Sequence, residues 1–397
     1  MYLSNRNIPA IILIFIISIG CNHKKLNGDK LQRIYARGMK STVKNIKELH
    51  VIDSTSIKLD LSDVDFESKS IVPIRFMKLC PKNEILIGII DKIVHYKDRI
   101  YILDKVTNSL LILDIDGNMI FKIHNVGKAG GEYNTISDFC IDDKHQKIVI
   151  FDAKSKKFIH YNLNGKFYKE YKTLIWLKEF SILNTGDYCM LTLGNDYSGY
   201  QLLFSDSLHR IRQKAIPVNS GYLLNLFSNG KSLIQNYNEA TQISAPFSNK
   251  IYRIRYGRIY LDYILDFGER EFKYEKDKHR NMNMFIDDYD NNKLMFSLGG
   301  FMETDINLLV ELTYKGKGYV VNYKKDNKSL TIQSLILLDS LHITFPKIYI
   351  EDCFVSIINS VWMIENKDLM IKKYGLEKFY SGLTVNSNPI LVFYKVQ

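Results

Sequence analysis

The sequence predicts an all-β fold, a six-bladed β-propeller with a short helical insertion in the last blade and closure between N-terminal and C-terminal strands. Three observations predict it. From about residue 57 onward, short apolar runs alternate with turns rich in Asp, Asn and Gly. One pattern of strands and turns returns at a fixed offset. The aromatic content is 26 Tyr and 21 Phe against 2 Trp, and Tyr and Phe favour pleated, half-buried surfaces. With 46% hydrophobic residues the chain can bury a core.

The first 20 residues read as an address. Arg6 precedes the apolar run 8–17, and Ser18-Ile19-Gly20-Cys21 follows. A run of this length is short for a membrane span, which needs roughly 20 residues, and fits a secretory signal. A small residue directly before Cys resembles a bacterial lipobox, which makes Cys21 the expected lipidation site and new N-terminus. Acyl chains stabilise membrane attachment by about 0.8 kcal/mol per buried CH₂. Residues 21–56 then form a tether and linker, and residues 57–397 the propeller. The expected location is the cell envelope, with the chain held by its lipid on a bacterial membrane, the outer membrane in this reading.

The repeat is clearest in the first two units. Residues 100–104 and 110–114, each ending in Asp, are followed by Asp116-Gly117-Asn118. Residues 148–152 and 158–162 are followed by Asn164-Gly165-Lys166. Asp104 matches Asp152, Asp114 matches Asn162 and Gly117 matches Gly165, always 48 apart. Asp at a strand end bonds its own backbone and caps the turn. Asp-Gly and Asn-Gly tolerate the positive φ of a tight hairpin. The last strand of a unit, residues 166–171, is polar and carries Lys, which suits an outer edge. A period of ~40–50 residues with four strands per unit is the signature of a propeller.

Four further units are expected. The third begins with 180–183, a turn at 184–187 and 188–191. The fourth begins with 223–227, a turn at Asn229-Gly230 and 232–235. The fifth begins with 284–286, a turn at 290–292 and 294–296. The sixth begins with 348–350 and 354–357. Residues 360–380, rich in helix formers, are read as a helix inserted in the last blade. The terminal strand 389–394 is expected to close the ring against strand 57–61, so that no open edge remains between blades.

Four segments together resemble the six-bladed β-propeller lipoproteins, distantly NHL-like, of Bacteroides-type bacteria. They are the strand-Asp-strand-Asp-Gly-Asn stretch 100–118, the glycine-rich 127–133, Tyr263-Ile264-Leu265-Asp266-Phe267-Gly268, and Asn386-Ser387-Asn388-Pro389 before the final strand. Ala129 and Gly130 stand where that family has Gly-Pro. The resemblance implies the fold and an envelope location. Members of the family look like binding or accessory proteins.

Chemistry-bearing motifs are sparse. Residues 127–133 lack the helix start or Lys-Ser/Thr pair of a phosphate cradle and read as a crossover, pinned by Glu132 and Tyr133. Asp266-Phe267-Gly268 has none of the other kinase motifs around it, and no Gly-x-Ser-x-Gly elbow occurs. The nine His show no metal-binding spacing. No metal site is therefore assigned, although channel carboxylates could bind Ca²⁺. Cys140, Cys189 and Cys353 lie in apolar runs, where buried free thiols are the default. The net charge of +11, with no basic run of five or more, reads as dispersed surface lysine. Nucleic acid is not an expected partner. The expected function is binding of a glycan, a peptide or an envelope protein at one propeller face, without catalysis. Asp138, Asp187, Tyr197, Tyr200 and Tyr222 are the candidate ligand-face residues. The alternative is a metal-dependent hydrolase or lyase working at the central channel.

Overall fold

The computed structural model describes residues 44–45, 54–59, 71–80, 85–192, 199–217, 233–271, 287, 291, 294–334 and 344–396. Three strands come first: β1 (Lys44–Asn45), β2 (Thr55–Lys58) and β3 (Ile71–Lys78). Blade 1 follows as β4 (Ile90–Tyr96), β5 (Arg99–Asp104), β6 (Ser109–Asp114) and β7 (Met119–Ile123). Blade 2 is β8 (Asp138–Asp142), β9 (Lys147–Asp152), β10 (Lys157–Asn162) and β11 (Phe167–Lys172). Blade 3 is β12 (Glu179–Ile182), β13 (Tyr188–Leu191), β14 (Tyr200–Ser205) and β15 (Ile211–Pro217). Blade 4 is β16 (Ile234–Tyr237), β17 (Ala240–Ser244), β18 (Lys250–Arg255) and β19 (Arg258–Asp266). Blade 5 has a divided inner strand, β20 (Met295–Phe296) and β21 (Phe301–Glu303), then β22 (Asn307–Tyr314), β23 (Lys317–Lys324) and β24 (Leu330–Ser334). Blade 6 is β25 (Ile348–Ile350), β26 (Cys353–Ile358), the helices α1 (Ser360–Glu365) and α2 (Lys367–Tyr374), and β27 (Ile390–Val396). Six sheets in sequence order make the six-bladed ring.

Strand periodicity explains how the blades adhere. Successive residues point to opposite sheet faces. In β5, Ile100 and Ile102 face the seam with blade 6, while Tyr101 and Leu103 face the seam with blade 2. Six buried clusters fill the six seams in this way. A strand covered on both faces reads as a continuous apolar run, which is why 100–103 and 148–151 stand out. The outer strand β11 is mostly exposed and polar, as expected of an edge.

The recurring Asp residues do more than cap turns. Asp104 is fully buried; Oδ1 accepts from Val106 N at 3.0 Å and Ile89 N at 3.1 Å, and Oδ2 from Gly88 N at 2.8 Å. Asp152 repeats this, accepting from Lys154 N, Ser155 N and Asn134 N. Each carboxylate thus ties a hairpin to the segment entering its own blade's inner strand. In the outer hairpins, Gly117 and Gly165 have φ of +85° and +80°, and Asp114 Oδ1 accepts from Asn118 N at 2.8 Å. Asp206 does the same in blade 3, accepting from Leu208 N and Arg210 N at 3.0 Å. His209 there takes the positive φ in place of glycine.

The crossover between β7 and β8 is pinned as expected. Tyr133 is fully buried; its OH donates to Ile123 O at 3.1 Å, and Glu132 Oε2 accepts from Ala129 N at 2.8 Å. The inserted helices lie where expected. Asn359 caps α1 through Val361 N, Gly375 ends α2 in the left-handed conformation, and Met363 and Met370 plug the seam of blades 5 and 6. Cys140, Cys189 and Cys353 are buried free thiols, and Cys80 is buried.

Three expectations are corrected. The strand that closes the ring is β3, not residues 57–61: Ile71–Lys78 pairs antiparallel with β27 as the outer strand of blade 6. Pro73 marks β3 as a poor strand in sequence, but it sits at a register shift on an outer edge, where proline is tolerated. Strand β2 instead joins the outer edge of β19 in parallel, with Ile57 and Leu59 buried in the seam of blades 4 and 5. In blade 4, residues 223–230 lie outside the described residues. Ile234–Tyr237 is the inner strand, and its hairpin is Asn238-Glu239, both at positive φ without a glycine. In blade 5, residues 284–286 lie outside the described residues, and Met295–Phe296 is half of the inner strand rather than a second strand.

Closure is reinforced by one buried side chain. Asn388 Oδ1 accepts from Ile87 N at 2.8 Å, while Nδ2 donates to Leu79 O at 3.1 Å and Ile85 O at 2.8 Å. It joins the start of the last strand to the chain entering the first blade. Asn388→Ala leaves three buried backbone groups without that partner. Urea unfolding is expected to show a loss of about 1–3 kcal/mol with an unchanged slope. A loss below about 0.5 kcal/mol, the scale of an ordinary surface change, would show that the ring does not depend on this clasp.

Candidate functional site: a charged mouth of the central channel

The inner strands β4, β8, β12, β16, β21 and β25 follow one another around the channel. Their first residues meet at one end, termed here the mouth. Charged residues stand at or beside the head of the inner strand in three consecutive blades: Asp91 and Lys92 in blade 1, Asp138 in blade 2, and Lys178 and Glu179 in blade 3. The register shift between Ile90 and Lys92 leaves Asp91 as the extra residue of a bulge, a device that re-aims side chains.

These side chains bind one another across blades. Lys92 Nζ donates to Asp138 Oδ1 at 2.7 Å. Asp138 Oδ2 accepts from Phe180 N at 2.9 Å. Glu179 Oε2 accepts from Leu233 N at 2.9 Å, at the entrance to blade 4. Lys105 Nζ lies 2.7 Å from Asp91 Oδ2, and Lys347 Nζ donates to Asp91 O at 3.4 Å. Glu179 is almost wholly buried, at 6% exposure.

Burial and neighbours set the charge states. Burial, with Asp138 adding to it, pushes Glu179 up to about 7, and Lys92, Lys178 and the Leu233 amide only partly oppose that. Burial lowers Lys178. Burial also acts to lower Lys92, but Asp138 and Glu179 outweigh it and the net shift is upward. Cys140, beside Lys92, is pushed well above the usual thiol range by burial, so it is not an activated thiolate. Two fixed ion pairs therefore flank a carboxyl group that changes protonation near neutrality, an arrangement suited to reversible polar binding.

The sequence-derived candidates separate in space. Asp138 is part of the mouth. Asp187 is not: it lies in the β12–β13 hairpin at the opposite end, where its carboxylate accepts from Thr185 Oγ1 at 3.1 Å. Tyr200 opens β14, in the outer half of blade 3, with Lys214 Nζ 4.9 Å from its ring centre. Tyr197 and Tyr222 lie outside the described residues, as does Cys21. Lys92, Lys178 and Glu179 escape sequence reading. Their one local signal is a charge at or beside the head of a strand, and only the ring shows that three such heads converge.

The opposite end is stitched from blade to blade. Gln146 Nε2 donates to Tyr96 OH at 2.7 Å, Lys144 Nζ to Thr185 O at 3.1 Å, Asn184 Nδ2 to Glu239 O at 2.8 Å and Tyr237 OH to Asp305 Oδ1 at 2.5 Å. Glu303, between blades 4 and 5, is likewise occupied by Tyr263 OH at 2.7 Å and Lys325 Nζ at 2.5 Å. His160 and His209, 3.1 Å apart between blades 2 and 3, are held neutral by burial. Among the described residues no three His, Cys, Asp or Glu side chains gather as a metal-binding set, and no helix is long and apolar enough to cross a membrane.

A raised carboxyl pKa has a defined linkage sign. The folded state holds the Glu179 proton more tightly than the unfolded chain does. Its contribution is therefore favourable below the ordinary carboxyl range and is lost as pH rises toward 7. Glu179→Gln is expected to stabilise the fold by about 1–3 kcal/mol at pH 8 and to change little at pH 4. Equal effects at both pH values in urea unfolding would contradict the buried, shifted carboxyl.

Comparison with known proteins supports the fold. A candidate exported protein of Bacteroides fragilis superposes with a TM-score of 0.72 at 18% identity, covering 86% of this chain and 99% of its own. A DUF4221 family member from Bacteroides vulgatus gives 0.53 at 9% identity, covering 83% and 99%. Identities this low speak to architecture alone. No curated protein matches the sequence. The model of DUF4934, a domain of unknown function, matches residues 45–395, so the chain belongs to the DUF4934 family.

Proposed function

We propose that this chain is a cell-envelope lipoprotein that binds a ligand at the mouth of its propeller channel and does not transform it. The observation that carries the reading is the convergence of Lys92, Asp138, Lys178 and Glu179 from three blades at one end of the channel. A few convergent polar groups at a concave position are the usual form of a ligand site. The ligand is a glycan, a peptide or a segment of an envelope protein. Export is supported by the apolar run before Cys21 and agrees with the exported character given to the Bacteroides fragilis neighbour.

The non-catalytic reading is favoured by how the carboxylates are used. Asp138 engages both oxygens, with Lys92 and the Phe180 amide, and neither is aligned as a free base. The metal-dependent alternative, and Ca²⁺ binding in general, would need carboxylates released from such pairs. Elemental analysis of the purified protein distinguishes the two: a stoichiometric metal supports the alternative, its absence the binding reading.

Two measurements test the proposal. A glycan array together with a pull-down from envelope extract is expected to return a ligand, and Lys92→Met is expected to weaken its binding tenfold or more. A ligand whose affinity is untouched by Lys92→Met binds elsewhere. Incorporation of labelled palmitate in the native host tests the anchor. Label is expected in the wild-type chain and absent in Cys21→Ser; equal labelling of both would remove Cys21 as the acylation site.

A further inference from the structure

A pair of buried histidines joins blades 2 and 3 away from the mouth. His160 lies on β10 of blade 2, and His209 in the β14–β15 hairpin of blade 3. They are 7% and 6% exposed, and their Nε2 atoms stand 3.1 Å apart across the seam. The His209 ring stacks on Phe158 of blade 2 with 3.9 Å between ring centres. Tyr188 on β13 and Tyr171 on β11 close its sides, their ring centres 4.4 Å and 5.1 Å away. His209 Nδ1 is buried and has no hydrogen-bond partner among the described residues. The other charged or titratable neighbours are Asp142 at the end of β8, His145 in the hairpin after it, Lys147 on β9, Lys169 on β11, and Asp206 in the hairpin of His209 itself. Asp142 is engaged by His145, and Asp206 by Arg210 and Arg212, each at 2.8 Å. Neither carboxylate is therefore free to hold an imidazolium in place. Burial lowers His160 to about 4; Asp142 opposes this, and His145, Lys147 and Lys169 add to it. Burial, with His160 adding to it, lowers His209 to about 3 against the pull of Asp206.

Two imidazoles placed Nε2 to Nε2 bond only while one of the facing nitrogens lacks a proton. The neutral pair meets that condition, one ring donating and the other accepting. Once each ring has gained a proton, N–H faces N–H at 3.1 Å, and His209 carries a buried Nδ1–H with no acceptor. We propose that His160 and His209 form an acid-operated latch, which holds blades 2 and 3 together while both rings are neutral and opens that seam when each takes up one proton from solvent. No bond changes except the two new N–H bonds. The latch is continuous with the mouth. Phe158, stacked on His209, meets Phe180 edge to face at 5.3 Å, and the Phe180 amide donates to Asp138 Oδ2 at 2.9 Å. Opening at the histidines thus acts on a bond that positions Asp138. The linkage sign is the reverse of that at Glu179. The folded state binds these two protons more weakly than the unfolded chain does. Its stability is therefore undiminished above the ordinary histidine pKa, about 6.5, and is lost as pH falls from there toward the lowered values.

The test uses the full chain, which carries its own reporter. Trp176 lies in the crossover from blade 2 to blade 3, between Ile175 and Leu177, both buried in that seam. The second tryptophan, Trp362, lies on α1 of blade 6 and is removed by Trp362→Phe. In that background the emission of Trp176 is expected to shift reversibly between pH 7 and pH 4, while far-ultraviolet circular dichroism keeps its strand signal. Over the same range the Phe180 amide should lose protection from hydrogen exchange, beyond the change in intrinsic rate. His160→Gln combined with His209→Asn replaces both rings with groups that do not titrate, and asparagine accepts the positive φ of position 209. This variant should lose both responses. In urea at pH 5, the wild-type unfolding constant should fall with rising pH about a hundredfold more per pH unit than that of the variant, tenfold for each proton. If the variant does not fold, imidazole NMR titration of the wild-type chain decides, with two rings expected to stay neutral at pH 5. Equal pH slopes in wild type and variant, Trp176 emission that moves only with global unfolding, or every imidazole titrating near 6.5 would overturn the latch.

Discussion

Ring closure is the constraint from which the rest follows. Every blade is apolar on both faces, so each needs a neighbour on each side, and a linear array would leave two faces bare. The ladder between β3 and β27, with Asn388 beside it, brings blade 6 against blade 1. The seam so formed contains 15 buried side chains, among them Met77, Ile93, Ile100, Val355 and Phe393. Opening the ring would expose these side chains to water on both sides of the seam, so closure and burial of this part of the core are one event. The N-terminal strand carries this weight although it comes from the far end of the chain.

Closure also creates the charged mouth. Residues in the middle of an inner strand are packed against the adjoining blades and must be apolar or internally bonded. The heads of the inner strands lie where neighbouring blades converge, and there a charge is tolerated if it is partnered. Lys92 with Asp138, and Asp91 with Lys105 from the end of β5, follow that rule. Glu179 accepts from the Leu233 amide, and burial, with Asp138 adding to it, raises its pKa. A buried carboxyl with a raised pKa, at a position where the fold does not require a charge, is the kind of local inconsistency that functional sites show.

How much of this was legible in the sequence depends on which interactions are local. Hairpins and strand faces are local, so the 48-residue offset, Asp104, Asp114 and the glycines 117 and 165 located blades 1 and 2 correctly. The same chemistry was hidden in blade 3, where His209 replaces the expected glycine behind Asp206, and in blade 4, where Asn238-Glu239 turns without one. Edge pairing is not local. Residues 57–59 alternate well enough to serve any outer edge, and nothing in their sequence chooses blade 4 over blade 6. Pro73 masks the strand that does close the ring. Asp138 and Asp187 look alike in sequence as acids beside inner strands, but one begins a strand and the other follows its end, so the ring places them at opposite ends of the channel. Glu179 carried no motif at all.

The route of the N-terminal segment bears on how the mouth is presented. Strand β1 pairs in parallel with β15 on the outer edge of blade 3, and β2 with β19 on blade 4, before β3 enters blade 6. The three strands thus join the propeller along its rim. An acyl anchor at the proposed Cys21, 23 residues ahead of β1, would hold the ring through the edge of blade 3. The end opposite the mouth is already occupied by blade-to-blade hydrogen bonds from Tyr96, Lys144, Asn184 and Tyr237. The two ends therefore differ in kind: the far end is stitched mainly by neutral side chains and backbone carbonyls, whereas the mouth gathers charged side chains from three blades, the polar character a binding site needs.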